Sequence, residues 1–191
     1  MIDIIAMRHG KREQGDDPKL AARGAEQVAE VAGKYLAKFD FDYLYHGDRR
    51  RHIGSAEVAA KVLAIPVDRI FKTGLLSIES VQGYGDIERC VAESLRHPDG
   101  ADAGFNVKNW NKLNPVMMLN MRKRFLEFCN EELICNHVTE GTILAISSSP
   151  LVEALHEDGF LVGEAGIIRY QGGADRVIRP VEVIFEGFFE N

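Results

Sequence analysis

The chain has 191 residues, 46% hydrophobic and 27% charged, enough to bury one continuous core, and a single domain over residues 1–191 is expected. Its formal net charge of -6 sets aside nucleic acid and an anionic membrane surface as partners, since either would need a strong basic patch against that balance. Cys90, Cys129 and Cys135 show neither CxxC spacing nor an even count, which argues against a disulfide framework or a zinc site and for reduced thiols. Asp3 and Arg8 interrupt the only candidate leader, and no run approaches membrane-spanning length, so a cytoplasmic location is expected.

In chain order, Ile4-Ile5-Ala6-Met7 is an apolar strand that stops abruptly at Arg8-His9-Gly10. Lys11 to Lys19 is polar and punctuated by glycine and proline, as in an exposed loop. Apolar spacings of three and four from Gly24 to Phe39 predict an amphipathic helix. Phe41 to Tyr45 reads as a strand broken by His46-Gly47-Asp48, and Arg51 to Leu63 as the next helix. Pro66 closes it, with Val67 to Phe71 a short strand or link.

The stretch from Thr73 to Leu113 reads as an insertion over one end of the sheet, with one helical pattern from Ile87 to Leu95. Asn114-Pro115 then supplies a cap and a first-turn proline for a long helix ending near Leu133, whose Met118, Met121, Phe125 and Phe128 stripe faces the core. Thr142 to Ile146 is a strand ending in Ser147-Ser148-Ser149-Pro150, followed by a predicted helix from Leu151 to His156. Ile167 to Tyr170 and Val181 to Phe185 are two closing strands joined by the turn-rich Gln171 to Asp175. This alternation predicts a three-layer αβα sandwich with a mainly parallel central sheet and helices on both faces.

In such sheets chemistry gathers at strand ends. Here those ends carry Arg8-His9-Gly10, Ser147-Ser148-Ser149-Pro150 and Arg49-Arg50-Arg51-His52. An imidazole nucleophile among guanidinium groups suits capture of a phosphoryl group, because the planar arginine fork matches phosphate oxygens in two-point contacts.

Three segments carry a family likeness: the apolar strand into Arg8-His9-Gly10, the helix opening Leu20-Ala21-Ala22-Arg23-Gly24-Ala25-Glu26-Gln27, and Arg51 followed by Ser55-Ala56. From about Ile2 to Leu155 the chain resembles the histidine phosphatase superfamily, also called phosphoglycerate mutase-like. The resemblance implies that His9 attacks phosphorus in line and becomes phosphohistidine. Arg8 and Arg51 would hold the phosphate oxygens, and no metal or organic cofactor would be needed. The expected proton donor is Glu79, by its spacing from Gly83, with Asp86 the second choice. Arg49 and Arg50 read as solvated charges.

One departure stands out. Where the family carries a second histidine, this chain has Ser148, which can hydrogen-bond a phosphate oxygen but carries no positive charge. Losing a charged contact of that kind costs roughly 2–4 kcal/mol, or two to three decades in rate. His46 and His52 are the candidates to compensate. Ser148 also has a plainer reading, as a cap for the helix after Pro150.

Two functions therefore compete. One is a phosphomonoester hydrolase, with reduced activity, acting on a small phosphorylated molecule. The other is a phosphate-binding or regulatory domain that has lost efficient turnover. A mutase ranks below both, because Lys11 follows Gly10 and no segments for holding a bisphosphorylated sugar acid are evident. Substrate identity and oligomeric state are not encoded legibly.

Overall fold

In the computed structural model the described residues are 1–79, 81–95, 106–130, 140–156, 159, 161–172 and 177–189. The central element is β1 (Ile2–Arg8), whose side chains alternate between two apolar layers. Ile4 and Ala6 face one core cluster and Ile5 and Met7 the other. A strand covered on both faces has no solvent side, which explains why its sequence is continuously apolar rather than alternating.

Helices α1 (Ala22–Val31) and α2 (Arg50–Leu63) pack on the Ile5 face, through Val28, Val31, Ala56 and Ala59. On the Ile4 face lie α4 (Val107–Leu113) and α5 (Pro115–Glu127), with Met117, Met118, Met121 and Phe125 buried; α3 (Ile87–Leu95) precedes them and contacts α4. Asn114 caps α5 as expected, its side chain accepting from the Met117 N–H at 3.0 Å. The stripe predicted as core is core. Cys90 and Cys129 are buried on this face, and Cys135 lies outside the described residues.

Among the described residues the sheet comprises six strands: β1, β2 (Tyr43–His46), β3 (Ile70–Lys72), β4 (Gly141–Ser147), β5 (Ile167–Gly172) and β6 (Ile178–Phe185). Their order is β3-β2-β4-β1-β5-β6, with the first three pairings parallel and the last two antiparallel. The three-layer architecture and the mainly parallel sheet are as the sequence predicts. β6 runs antiparallel to β5 because the link from Gly172 to Ile178 is too short for a crossover connection.

Three local expectations need correction. The first predicted helix ends at Val31 and continues as a π-helical turn over Ala32–Leu36. Val67 to Phe71 divides into a 3-10 turn and the start of β3. No helix forms from Leu151 to His156: Ala154 N–H bonds to Leu151 O at 3.1 Å and His156 N–H to Glu153 O at 2.8 Å, a succession of three-residue turns. α5 itself ends at Glu127, and the end near Leu133 expected from the sequence, like most of the turn between β5 and β6, lies outside the described residues.

Register sets up the site. Arg8 pairs with Ser147 across β1 and β4, and His46 with Ile146 across β2 and β4, so three strands finish side by side. The loop leaving β1 then presses against α1. A Cβ at Gly24 would run into the Lys11 carbonyl oxygen, and one at Gly10 into that of Gly24, so both positions need glycine.

Candidate active site

His9 follows the last residue of β1 and is clamped by backbone bonds on both sides, its N–H to Ser147 O at 2.9 Å and its carbonyl to Ala165 N at 3.1 Å. Its Nδ1 lies 2.7 Å from Gly10 O and must donate to that carbonyl. The Nε2 lone pair is therefore free and accepts from Arg51 Nε at 3.1 Å. Burial lowers the His9 pKa well below its usual value, reinforced by His52, Arg8 and Arg51. A neutral imidazole with its Nε2 lone pair directed into a cationic cluster is a competent nucleophile.

Arg51, in the first turn of α2 and 5% exposed, is the hub. Besides His9 it donates through Nη2 to Glu79 Oε1 and, at 3.3 Å, to Ser148 Oγ. Glu79 takes a second cation, Arg49, whose Nε lies 3.2 Å from Oε2. Arg49 is thus half of an ion pair rather than a solvated charge, whereas exposed Arg50 has only its backbone N–H engaged, by Asp17 at 3.3 Å. Burial raises the Glu79 carboxyl, but the Arg51 hydrogen bond and charge and the Arg49 charge outweigh it and hold the group below its usual range.

Arg8 adjoins this cluster without bonding to it. Its Nη1 donates to Val162 O at 2.7 Å, while its Nε is buried with no hydrogen-bond partner. Beneath it Glu153, fully buried, accepts from Ser149 Oγ at 2.5 Å and from Val162 N at 2.7 Å. Burial pushes the Glu153 carboxyl up, against the pull of Ser149 and Arg8. Nothing in the sequence singled out Glu153, a lone acid in an apolar segment.

Of the two candidate compensating histidines, His46 donates Nδ1 to Gly47 O at 2.7 Å. His52 does enter the cluster: its Nε2 lies 2.8 Å from Ser148 Oγ and its ring centroid 5.5 Å from that of His9. Ser148 therefore bonds to Arg51 and His52, and there is no helix for it to cap. The Asp86 side chain lies outside the described residues. Among those residues no group of three His, Cys, Asp or Glu is placed to hold a metal, and no helix is long and apolar enough to cross a membrane.

The buried imidazoles make stability pH-dependent. Burial depresses His9 well below 6.5 and His52 to about 3, whereas in the unfolded chain both take the ordinary value. The unfolded chain alone then gains protons as pH falls, so stability present above about 6.5 is lost progressively towards the folded values. The His52 ring should lower the unfolding free energy by about 2 kcal/mol between about pH 7.5 and about pH 5, and His9 adds to the loss in the same direction. Urea unfolding at both values tests this; an unchanged midpoint would contradict it.

Comparison with known proteins identifies the fold and the family. The profile of the histidine phosphatase superfamily (branch 1) matches residues 4–147. Among solved structures, a phosphoserine phosphatase from Entamoeba histolytica in complex with phosphoserine is 15% identical, covering 97% of this chain and 98% of that one with a TM-score of 0.62. The protein histidine phosphatase SixA complexed with tungstate is 13% identical over 96% and 97% of the two chains, TM-score 0.60. A phosphoglycerate mutase from Bacillus anthracis is 18% identical over 97% and 93%, TM-score 0.63. No curated protein matches the chain. These likenesses establish the fold, and the profile, spanning well over half of the chain, establishes the family: the chain belongs to the histidine phosphatase superfamily.

Proposed function

We propose that the protein hydrolyses small phosphomonoesters through a phosphohistidine on His9. The observation that carries this reading is the state of His9, neutral, with Nδ1–H engaged by Gly10 and the Nε2 lone pair against the Arg51 guanidinium. A bound phosphoryl group draws Arg51 onto its oxygens, which releases the Nε2 lone pair to attack phosphorus. The N–P bond forms as the P–O bond to the leaving group breaks, and Arg51 and Arg8 offset the charge on the phosphoryl oxygens. Water then attacks phosphorus, the N–P bond breaks, and the electron pair returns to Nε2.

Glu79 is the proposed acid and base. Tied to Arg51 and Arg49 in the unliganded site, it is ionised and has no proton to give. A phosphate that takes Arg51 removes the largest influence holding the carboxyl down, and burial then favours its protonated form. It can protonate the leaving oxygen and later accept a proton from the attacking water. Glu79→Gln should therefore lower kcat/KM, which reports formation of the phosphoenzyme, by about 100-fold or more for alkyl phosphates but by under about tenfold for aryl phosphates, whose leaving oxygen needs little protonation. Equal losses on both substrates would remove Glu79 from that role.

The structural neighbours include proteins crystallised with phosphoserine and 3-phosphoglyceric acid, which supports a small phosphorylated molecule as substrate here. The direct test is to quench the protein in alkali during turnover of an aryl phosphate and map the phosphorylated residue. An acid-labile, alkali-stable phosphate on His9 is expected. Turnover with phosphate on another residue, or no hydrolysis at all, would overturn the reading.

A further inference from the structure

His52 is 0% exposed, a polar side chain buried completely beside the nucleophile. Space for it exists only because residue 47 is glycine: a Cβ there would collide with the imidazole Nδ1. That Nδ1 is buried with no hydrogen-bond partner. A buried N–H without an acceptor is rarer and costlier than an idle acceptor, so the ring proton belongs on Nε2. Nε2–H then donates to Ser148 Oγ at 2.8 Å, and Arg51 Nη2, which can only donate, approaches the same oxygen at 3.3 Å. Both acceptor sites of the hydroxyl are thereby taken. Its own O–H remains to donate to a third group.

We infer that His52 is a positioning residue whose imidazole sets the Ser148 hydroxyl as a donor to the phosphoryl oxygens gathered by Arg51. The inference rests on the phosphoryl-transfer reading and adds to it a helix-borne imidazole acting through a strand-end hydroxyl. Because burial keeps the ring neutral, the pair contributes directed hydrogen bonding and no charge, and the phosphate charge falls to Arg8 and Arg51. The pairing joins residues 96 positions apart, at the start of α2 and the end of β4. It thus also fixes the helix that carries Arg51 against the sheet that carries His9.

The test uses the full chain and measures tungstate affinity by calorimetry, kcat and KM on an aryl phosphate, and the melting temperature. Variants are His52→Ala, His52→Asn, His52→Gln, Ser148→Ala and the double variant His52→Ala with Ser148→Ala. His52→Ala and Ser148→Ala should each weaken tungstate binding and kcat/KM by about tenfold or more, and the double variant should be no worse than either. Asn and Gln are both neutral amides, but only Gln places a nitrogen where Nε2 stands, so Gln should recover most of the loss and Asn should not. That contrast holds even if the alanine variant fails to fold. Losses that multiply in the double variant, His52→Ala within twofold of the parent, or Asn equal to Gln would overturn the inference while leaving phosphoryl transfer intact. A parent chain that neither binds tungstate nor cleaves the aryl phosphate would overturn both.

Discussion

Replacing His9 with alanine should lower kcat on any phosphomonoester by at least about 10,000-fold and abolish the phosphoenzyme. The size of the effect follows from the absence of a substitute. His46 is turned to Gly47 O, and His52 directs its Nε2 at Ser148, so neither of these neighbouring imidazoles presents a lone pair to phosphorus in place of His9. Arg51 and Arg8 would still bind the anion, so tungstate affinity should survive far better than turnover. Measuring both on one preparation, with the melting temperature as a check on folding, separates loss of the nucleophile from loss of the site. Activity within tenfold of the parent would end the phosphohistidine proposal.

Arg51→Lys is the second large effect, with kcat/KM expected to fall by about three orders of magnitude although the charge is kept. One guanidinium addresses His9 through Nε and both Glu79 and Ser148 through Nη2. An ammonium on a flexible stem cannot hold those directions at once, and its stronger hydration makes the buried position costly. A second consequence can be read independently. With the guanidinium gone, the hydrogen bond that most depresses Glu79 is lost, so the limb of the pH–rate profile that Glu79 governs should move to higher pH. A lysine variant within tenfold of the parent, with an unmoved profile, would show that the fork geometry is not what the reaction uses.

Much of this framework was legible from the sequence where local pattern and burial coincide. The switch from Ile4-Ile5-Ala6-Met7 to Arg8-His9-Gly10 marks a strand end because a fully covered strand must be apolar throughout and can change character only where the cover stops. Asn114-Pro115 carries its own cap chemistry. What failed depends on bonds that the pattern does not encode. Leu151 to His156 has helical composition, yet it runs through three-residue turns while Glu153 satisfies Val162 N. Arg49 looked solvated because its partner, Glu79, lies 30 positions away in a stretch with little periodicity.

His52 is the instructive intermediate. The inward stripe of α2 runs Arg51, His52, Ser55, Ala56, Ala59, Ala60, paired positions four apart. Projecting the small residues Ser55, Ala56, Ala59 and Ala60 back by one turn turns both Arg51 and His52 inward, so the signal was present in the helical phase. What that phase could not supply was the vacancy at Gly47 into which the ring fits.

Glu79 gives the unliganded site a property beyond its proposed proton transfer. By lying against Arg51 and Arg49 it serves as a built-in counter-ion, so an incoming anion gains the guanidinium only by exchange with a carboxylate already in place. A singly charged anion offers little advantage in that exchange, whereas the dianion of a phosphomonoester brings twice the charge and three oxygens to share between Arg51, Arg8 and Ser148. On the proposed function, the resident carboxylate would therefore favour the dianion of a phosphomonoester over phosphodiesters and chloride.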